Sequence, residues 1–296
     1  MAYWRFEEGP AGGKVPHGGL GDGQFYPGVA DSSGNGNALS AWTEADWAGM
    51  AYRTDVAAGT IPQTGAANNF SVQNTGGFPG MFTQTGSPMQ TMTPAAFTIE
   101  VSFKPETGGW RTLVGRDSRG TATINGDLAA LYLQVTDNPR NALAIKFCDV
   151  SGYWHEAVSA PETIQGFPFP NVDQGRWYHA AAVSDGSTLS LYLNDVNAGT
   201  GYQLVAQTDM TLSGSPNTAL TAGAGDGGDW DAGNWSVGRG LYAGGHGDRA
   251  YGFIDEVRIS DSALSPGEFL FVPEPASLAA LGLLAAMSLR RNKGRG

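Results

Sequence analysis

Oxygen-bearing side chains set around glycines are the first chemistry visible in this chain. Asp31-Ser32-Ser33-Gly34-Asn35-Gly36-Asn37 places a carboxylate, hydroxyls, amides and open carbonyls in one short stretch. A hard cation such as Ca²⁺ is held by oxygens of this kind. The same residues also suit a Gly/Asn turn closed by its own Asx hydrogen bonds. A second acidic group, Asp226, Asp229 and Asp231, lies beside Trp230 and Trp235. Carboxylates accept from sugar hydroxyls and indole faces stack on pyranose rings, so these five residues form a candidate sugar site; a solvated acidic loop is the alternative. Tyr153, Trp154 and His155 form a further aromatic set. Catalytic signatures are missing. There is no Gly-x-Ser-x-Gly turn, no His-Glu-x-x-His and, despite 44 Gly, no glycine-rich phosphate loop. His17, His155, His179 and His246 are scattered, and His179, inside an apolar strand pattern, reads as structural rather than as a base. The lone Cys148 excludes an intrachain disulfide and a Cys-based zinc site.

These groups must be carried by strands. Phe97 to Lys104 alternates, with Phe97, Ile99, Val101 and Phe103 on one face and Thr98, Glu100, Ser102 and Lys104 on the other. Thr112 to Arg116 is a short strand. Leu131, Leu133 and Val135 alternate with Tyr132 and Gln134, and Leu143, Ile145 and Phe147 with Ala144 and Lys146; Asp137-Asn138-Pro139 between them marks a hairpin. Trp177 to Ser184, Asp185-Gly186 and Thr188 to Leu193 give the strongest hairpin signal. Trp235 to Arg239 and Tyr251 to Ser260 are late strands. In the last, alternation puts Phe253, Asp255, Val257 and Ile259 on one face and Ile254, Glu256 and Arg258 on the other, and carboxylates in so apolar a strand need partners. Ile61 to Met92 and Gly199 to Gly233 are expected to be long loops. Ser265-Pro266-Gly267-Glu268 is a capping box for one short turn through Phe271. Many short strands and almost no helix in 296 residues imply a β-sandwich.

Net charge is −11, and Arg290, Arg291, Lys293 and Arg295 crowd the end. Up to Val272 the body has 13 Lys and Arg against 27 Asp and Glu, a net of −14. Such a surface repels nucleic acid and anionic lipid, so no nucleic-acid partner is expected.

YWRFEEG near the start, DSSGNGN at Asp31 to Asn37, FTIEVSFKP at Phe97, GRWYHAAAVSDGSTLSLYLND at Gly175 and GFIDEVRISDSALSPGEF at Gly252 occur in that order. Together they resemble the laminin-G-like, concanavalin A-like lectin/glucanase superfamily. The resemblance implies an all-β, antiparallel two-sheet jelly-roll sandwich over residues 1–271, with the first and last strands paired. It also implies a structural Ca²⁺ held by Asp31, Asn35 and Asp255, a backbone oxygen near Gly34, and Glu256. Laminarinase-like members carry Glu-x-Asp-x-x-Glu on one strand; the nearest string here is Glu44-Ala-Asp46, whose sixth position is Gly49. The fold hosts lectins, glycosidases and adhesion modules alike.

Val272-Pro273-Glu274-Pro275, the apolar run Ala276 to Leu289 and Arg290-Arg291 are similar to a PEP-CTERM sorting signal, with Pro273, Glu274, Pro275, Arg290 and Arg291 as its defining residues. Such a signal implies an exosortase-type processing partner. As a helix outside the fold, the run of 14 residues spans about 21 Å, short of a roughly 30 Å hydrocarbon core. Residues 272–296 are thus expected to be a membrane and sorting segment. MAYWRFEEG lacks the basic and apolar regions of a secretory signal, so the true start is expected upstream of Met1. The expectation is a non-catalytic exported protein of the cell surface or extracellular matrix, with Ca²⁺ as structural cofactor, that binds an extracellular glycan or surface protein or mediates adhesion. A glycan-active enzyme and a purely structural matrix protein are the alternatives.

Overall fold

Period-two patterning becomes antiparallel strands in the structure, a computed structural model that describes residues 1–17, 25–43, 49–118, 128–165, 175–227, 230–242 and 245–272. The strands are β1 Ala2–Trp4, β2 Leu39–Trp42, β3 Met50–Arg53, β4 Ser71–Asn74, β5 Gly80–Thr83, β6 Phe97–Pro105, β7 Arg111–Arg116, β8 Leu131–Thr136, β9 Ala142–Cys148, β10 Trp154–Val158, β11 Tyr178–Ser184, β12 Thr188–Asp195, β13 Gln203–Asp209, β14 Trp235–Val237, β15 Gly240–Tyr242, β16 Gly245–Gly247 and β17 Gly252–Ser260. An eight-stranded sheet runs β13-β12-β11-β6-β17-β4-β3, with β1 also paired to β17. A seven-stranded sheet runs β10-β9-β8-β7-β14-β5-β2, and β15 and β16 form a separate hairpin. The apolar rows of the two large sheets bury Phe97, Ile99, Val101 and Phe103 with Leu131, Leu133, Val135, Ile145 and Phe147 in one core.

Local chemistry explains the tightest connection. Gly186 turns between β11 and β12 at φ 89°, and Asp185 Oδ1 accepts from the Ser187 and Thr188 amides at 2.8 and 2.7 Å. The first and last strands pair as the resemblance implies, with Ala2 opposite Ile259 and Trp4 opposite Val257.

Three expectations need correcting. Ile61 to Met92 is not loop throughout, because β4 and β5 lie within it. Gly199 to Gly233 likewise holds β13 and a 3₁₀ turn, Met210–Ser213. Strict alternation in β17 fails as well. A bulge between Asp255 and Arg258, with Glu256 at φ 46°, shifts the pattern by one residue. Ile254, Val257 and Ile259 therefore enter the core, while Phe253 turns to the opposite face against Trp177 and Arg258 reaches Glu100. The Ser265 capping box forms, around a 3₁₀ turn limited to Pro266–Glu268.

The outward face of the eight-stranded sheet is not open to water. Residues 264–272 fold back over it, with Phe269 against Ala181 and Val183, and Leu270 and Phe271 against Ile61. Polar contacts pin this strap. Glu100 accepts from the Arg258 guanidinium and, at 2.7 Å, from the Leu270 amide, while Arg258 Nη2 donates to Glu268 O at 2.7 Å. The Tyr202 hydroxyl bonds His179 Nδ1 at 2.7 Å and accepts from the Phe271 amide at 3.2 Å. Burial, with Arg258 nearby, holds the His179 pKa well below its usual range, which fits the structural role expected of it.

Burial pushes Glu100 up to about 7 despite Arg258, and Glu256 up to about 7 despite Tyr3 and Arg5. Both carboxyls hold their protons more tightly in the folded chain. They therefore contribute stability that is full below their ordinary value of 4.5 and lost as the pH rises through about 7. Thermal melts should show Tm falling over that interval, and Glu100→Gln should flatten the slope. A Tm that rises from pH 4.5 to 7, or an unchanged slope in the variant, contradicts this assignment.

Candidate functional site

Asp31 organises its own loop. Its Oδ1 accepts from the Tyr3 amide at 3.0 Å and from the Ser33 amide and hydroxyl at 3.0 and 2.6 Å. Its Oδ2 accepts from the Asn37 amide and side chain at 3.0 and 3.2 Å. Burial opposes ionisation, but the donors on Ser33, Tyr3 and Asn37 outweigh it and hold the carboxyl below its usual range. Gly34 supplies the left-handed turn at φ 79°, and Asn35 Nδ2 donates to Met1 O at 3.2 Å.

Asp255 and Glu256 belong to a different neighbourhood. Glu256, at the bulge, accepts from the Tyr3 hydroxyl and pairs with Arg5 at 3.2 Å. Asp255 is fully buried and accepts from Asn68 Nδ2 at 2.7 Å. Burial, reinforced by Glu256, pushes its pKa well above the carboxylate range. Asp255 Oδ1, Asn68 Oδ1 and Ser102 Oγ have no hydrogen-bond partner among the described residues. By donor chemistry, these hard oxygens fit Ca²⁺, whereas both oxygens of Asp31 are already taken by N–H and O–H donors. Among the described residues no three His, Cys, Asp or Glu side chains come together as a metal group.

Asp226 and Asp231 pair across one short bridge, but the indoles of the acidic tryptophan group are buried. Trp235 is 1% exposed and packs in the main core, with Arg116 over its ring at 5.2 Å. Trp230 is 3% exposed and packs with Ala129, Tyr132 and Leu241. Neither indole offers an open face. Asp231 bonds Thr85, and Asp226 is exposed. Asp229, Glu44, Asp46 and the sorting residues Pro273, Glu274, Pro275, Arg290 and Arg291 lie outside the described residues. No described helix is long and apolar enough to cross a membrane.

One concavity, of about 520 Å³, lies beside Phe25, Gly36 and Thr85, and a separate one lies on the outward side of the seven-stranded sheet. Tyr132 and Gln134 on β8 and Lys146 on β9 alternate with core residues and so face away from the core, and Tyr132 stands opposite Lys146 in the ladder. With Trp110, Leu128, Tyr242 and Asp248 they line a cavity of about 420 Å³. A neighbouring cavity of about 450 Å³ shares Trp110 and Asp248 and adds Phe78, Arg111, His246, Arg249 and Tyr251. The two make one groove. Trp110, Phe78 and Tyr242, at 40, 52 and 53% exposed, put bare aromatic surface along it.

The groove is built on a rigid floor. Tyr132 accepts from the Ala129 amide at 2.7 Å and donates to Leu241 O, which fixes its ring and ties down the β15–β16 hairpin. Gly240 lets that hairpin approach, since a Cβ there would stand 2.6 Å from Thr112 Oγ1. Asp248 sits at φ 48°, a conformation costly for a non-glycine residue and concentrated at functional sites. The Thr112 amide holds it in place through Asp248 O at 2.7 Å. Burial raises the Asp248 pKa while Arg111 opposes the shift.

Sheet order, strand register and the groove on one sheet define a two-sheet jelly-roll sandwich of the lectin type. Residues 76–269 match the concanavalin A-like lectin/glucanases superfamily, and the chain belongs to it. Residues 271–292 match the PEP-CTERM protein-sorting motif. No curated protein matches the chain. Among solved structures, domain 4 of AbnA, a GH43 extracellular arabinanase from Geobacillus stearothermophilus, in complex with arabinotriose, is similar at 16% identity. That match covers 90% of this chain and 94% of that one, with a TM-score of 0.51. The binding domain of Paraclostridial Mosquitocidal Protein 1 is 12% identical over 86% of this chain and 50% of that one, with a TM-score of 0.47. The CBM40 of Ruminococcus gnavus IT-sialidase is 15% identical over 61% of this chain and 83% of that one, with a TM-score of 0.41. These likenesses concern the fold.

The burial contrast between two tryptophans is testable. Trp230→Ala should cost about 3–5 kcal/mol in urea unfolding, as the loss of a buried indole does. Trp110→Ala should stay within about 1 kcal/mol, as for an exposed residue. Equal losses would contradict these placements.

Proposed function

We propose that this chain is an exported, non-catalytic carbohydrate-binding protein whose ligand lies in the Trp110–Tyr242 groove. The observation that carries this reading is the groove itself. Exposed rings of Trp110, Tyr242 and Phe78 provide stacking faces, and Gln134, Lys146 and Asp248 provide hydroxyl partners on a fixed floor. A mostly apolar cleft with a few placed polar groups is the usual form of a small-molecule or oligosaccharide site. A glycan also agrees with the arabinotriose held by domain 4 of AbnA. Asp248 is the one carboxylate among the described lining residues, whereas glycoside hydrolysis uses two. The sorting motif at 271–292 supports export and handling by an exosortase-type enzyme.

Binding to soluble polysaccharides, followed by calorimetry or affinity electrophoresis, tests the reading. Trp110→Ala and Tyr242→Ala should each weaken binding by roughly tenfold, the equivalent of about 1.4 kcal/mol. No saturable binding to any glycan, or turnover of a bound one, would overturn it.

Structural calcium belongs to the same proposal, held by Asp255 with Asn68 rather than by the saturated Asp31 loop. Millimolar Ca²⁺ should raise the Tm of the native chain and leave that of Asp255→Asn unchanged. Equal Tm with and without Ca²⁺ in the native chain removes the cation from the reading.

A further inference from the structure

Arg5, Lys104, Arg140, Lys146, Arg176, Arg239 and Arg258 each have a carboxylate within 4 Å, from Arg5 with Glu256 at 3.2 Å to Arg239 with Asp117 at 3.3 Å. Arg53 and Arg116 share with Arg111 the lack of a carboxylate within 4 Å among the described residues, but Arg111 is the one of the three that lines the groove. Its Nε donates to Thr107 Oγ1 at 2.9 Å and its Nη1 to Trp110 O at 2.7 Å. The guanidinium lies 5.1 Å from the centre of the Tyr251 ring. Nη2 has no hydrogen-bond partner among the described residues. Gly109, at φ 95°, leaves the guanidinium its space, since a Cβ there would stand 3.3 Å from Nη2.

The charges around it are uneven. The two cavities are lined by Arg111, Lys146 and Arg249 with one carboxylate, Asp248, in a body that up to Val272 has 13 basic against 27 acidic residues. Lys146 is partly neutralised by Glu156 at 3.2 Å, and Arg249 lies over the Trp42 ring. Asp248 faces Arg111 without closing to an ion pair. Burial lowers the Arg111 pKa while Tyr251, Asp248 and Asp137 oppose the shift.

Resting on the carbohydrate reading above, we propose that the groove selects acidic polysaccharide, with the Arg111 guanidinium taking a uronate carboxylate beside the Trp110 ring. The planar fork of an arginine, held through Nε and Nη1, presents its remaining N–H groups in the geometry a carboxylate accepts. The adjoining indole meets the apolar face of the same sugar, and Asp248 and Gln134 are left for hydroxyls of the next residue along the groove. The acidic body then opposes non-specific adsorption of polyanions, so only a chain seated in the groove is held.

The test measures binding of the protein to polygalacturonate, to the same polymer with its carboxyls reduced, to arabinan and to a sulfated galactan. Polygalacturonate should bind at least roughly tenfold tighter than its reduced form. That preference should shrink between 50 and 500 mM NaCl, as expected of a partly exposed ion pair. Arg111→Gln should erase the preference while retaining the binding of the reduced polymer, which also shows that the groove is intact. Arg111→Lys should keep part of it. Equal or tighter binding of the reduced polymer or arabinan overturns this inference and leaves the carbohydrate reading standing. Equal binding of the sulfated galactan overturns the carboxylate assignment. Equal loss of both galacturonan forms in Arg111→Gln makes Arg111 structural and overturns its selective role. Binding to none of the four polymers overturns this inference; the broader glycan screen decides the reading beneath it.

Discussion

The last strand lies in the middle of a sheet, and the rest of the molecule depends on that placement. β17 pairs with β6 along most of its length, and with β4 and β1 on its other side. Residues near 2, 72, 100 and 257 thus meet in one ladder. The two parts of the eight-stranded sheet, β13-β12-β11-β6 and β4-β3, are joined only when the chain has returned from beyond residue 250 to lay β17 between them. Such pairing closes long loops before contacts repay the ordering, and it belongs to the slow end of folding topologies. It also explains why the bulge at Glu256 matters. One extra residue decides which side chains of the central strand enter the core and which reach Glu100, Asn68 and Tyr3 on the outside.

The outward faces of the two sheets are covered to different degrees. The eight-stranded sheet carries polar residues, Glu100, Ser102, His179, Asn194 and Asp255, and then buries them beneath residues 55–68 and the strap 264–272. Buried polar groups demand partners, so this face is locked into one arrangement by Arg258, Tyr202 and the amides of Leu270 and Phe271. The seven-stranded sheet is also largely covered on its outward side, where Thr112, Arg116, Tyr132, Gln134 and Ser236 are buried, but the covering segments there leave the rings of Phe78, Trp110 and Tyr242 exposed.

Strong alternation and explicit turn chemistry made much of the fold legible. Phe97 to Lys104 and the Asp185-Gly186 hairpin follow from patterns spanning several residues, whereas the pairing of the chain ends was implied by the family resemblance. β4 and β5 were hidden because four-residue strands containing Gly, Gln and Asn carry little signal of their own and are held by a partner strand on each side. The bulge was hidden because one inserted residue leaves the letters of an alternating run unchanged. For the site, the sequence placed Tyr132, Gln134 and Lys146 on the face opposite the core. It did not join them to Phe78, Trp110, Tyr242 and Asp248, which arrive from separate loops. The Asp226 to Trp235 stretch suggested a sugar platform because an acidic, aromatic loop looks the same whether its indoles point outward or, as Trp230 and Trp235 do, inward. DSSGNGN was recognisable as an ordered loop, and its hydrogen bonds show Asp31 acting as the hub of that order.

The strap that closes the eight-stranded sheet ends at Phe271 and Val272, where the sorting motif begins. The point of attachment is therefore a packed part of the sandwich, and it lies on the sheet opposite the groove. A load applied through the tail would pull first on Leu270 and Phe271, and through the Glu100–Arg258 pair on the central ladder. Were the sandwich tethered there, its groove would lie on the sheet away from the point of attachment.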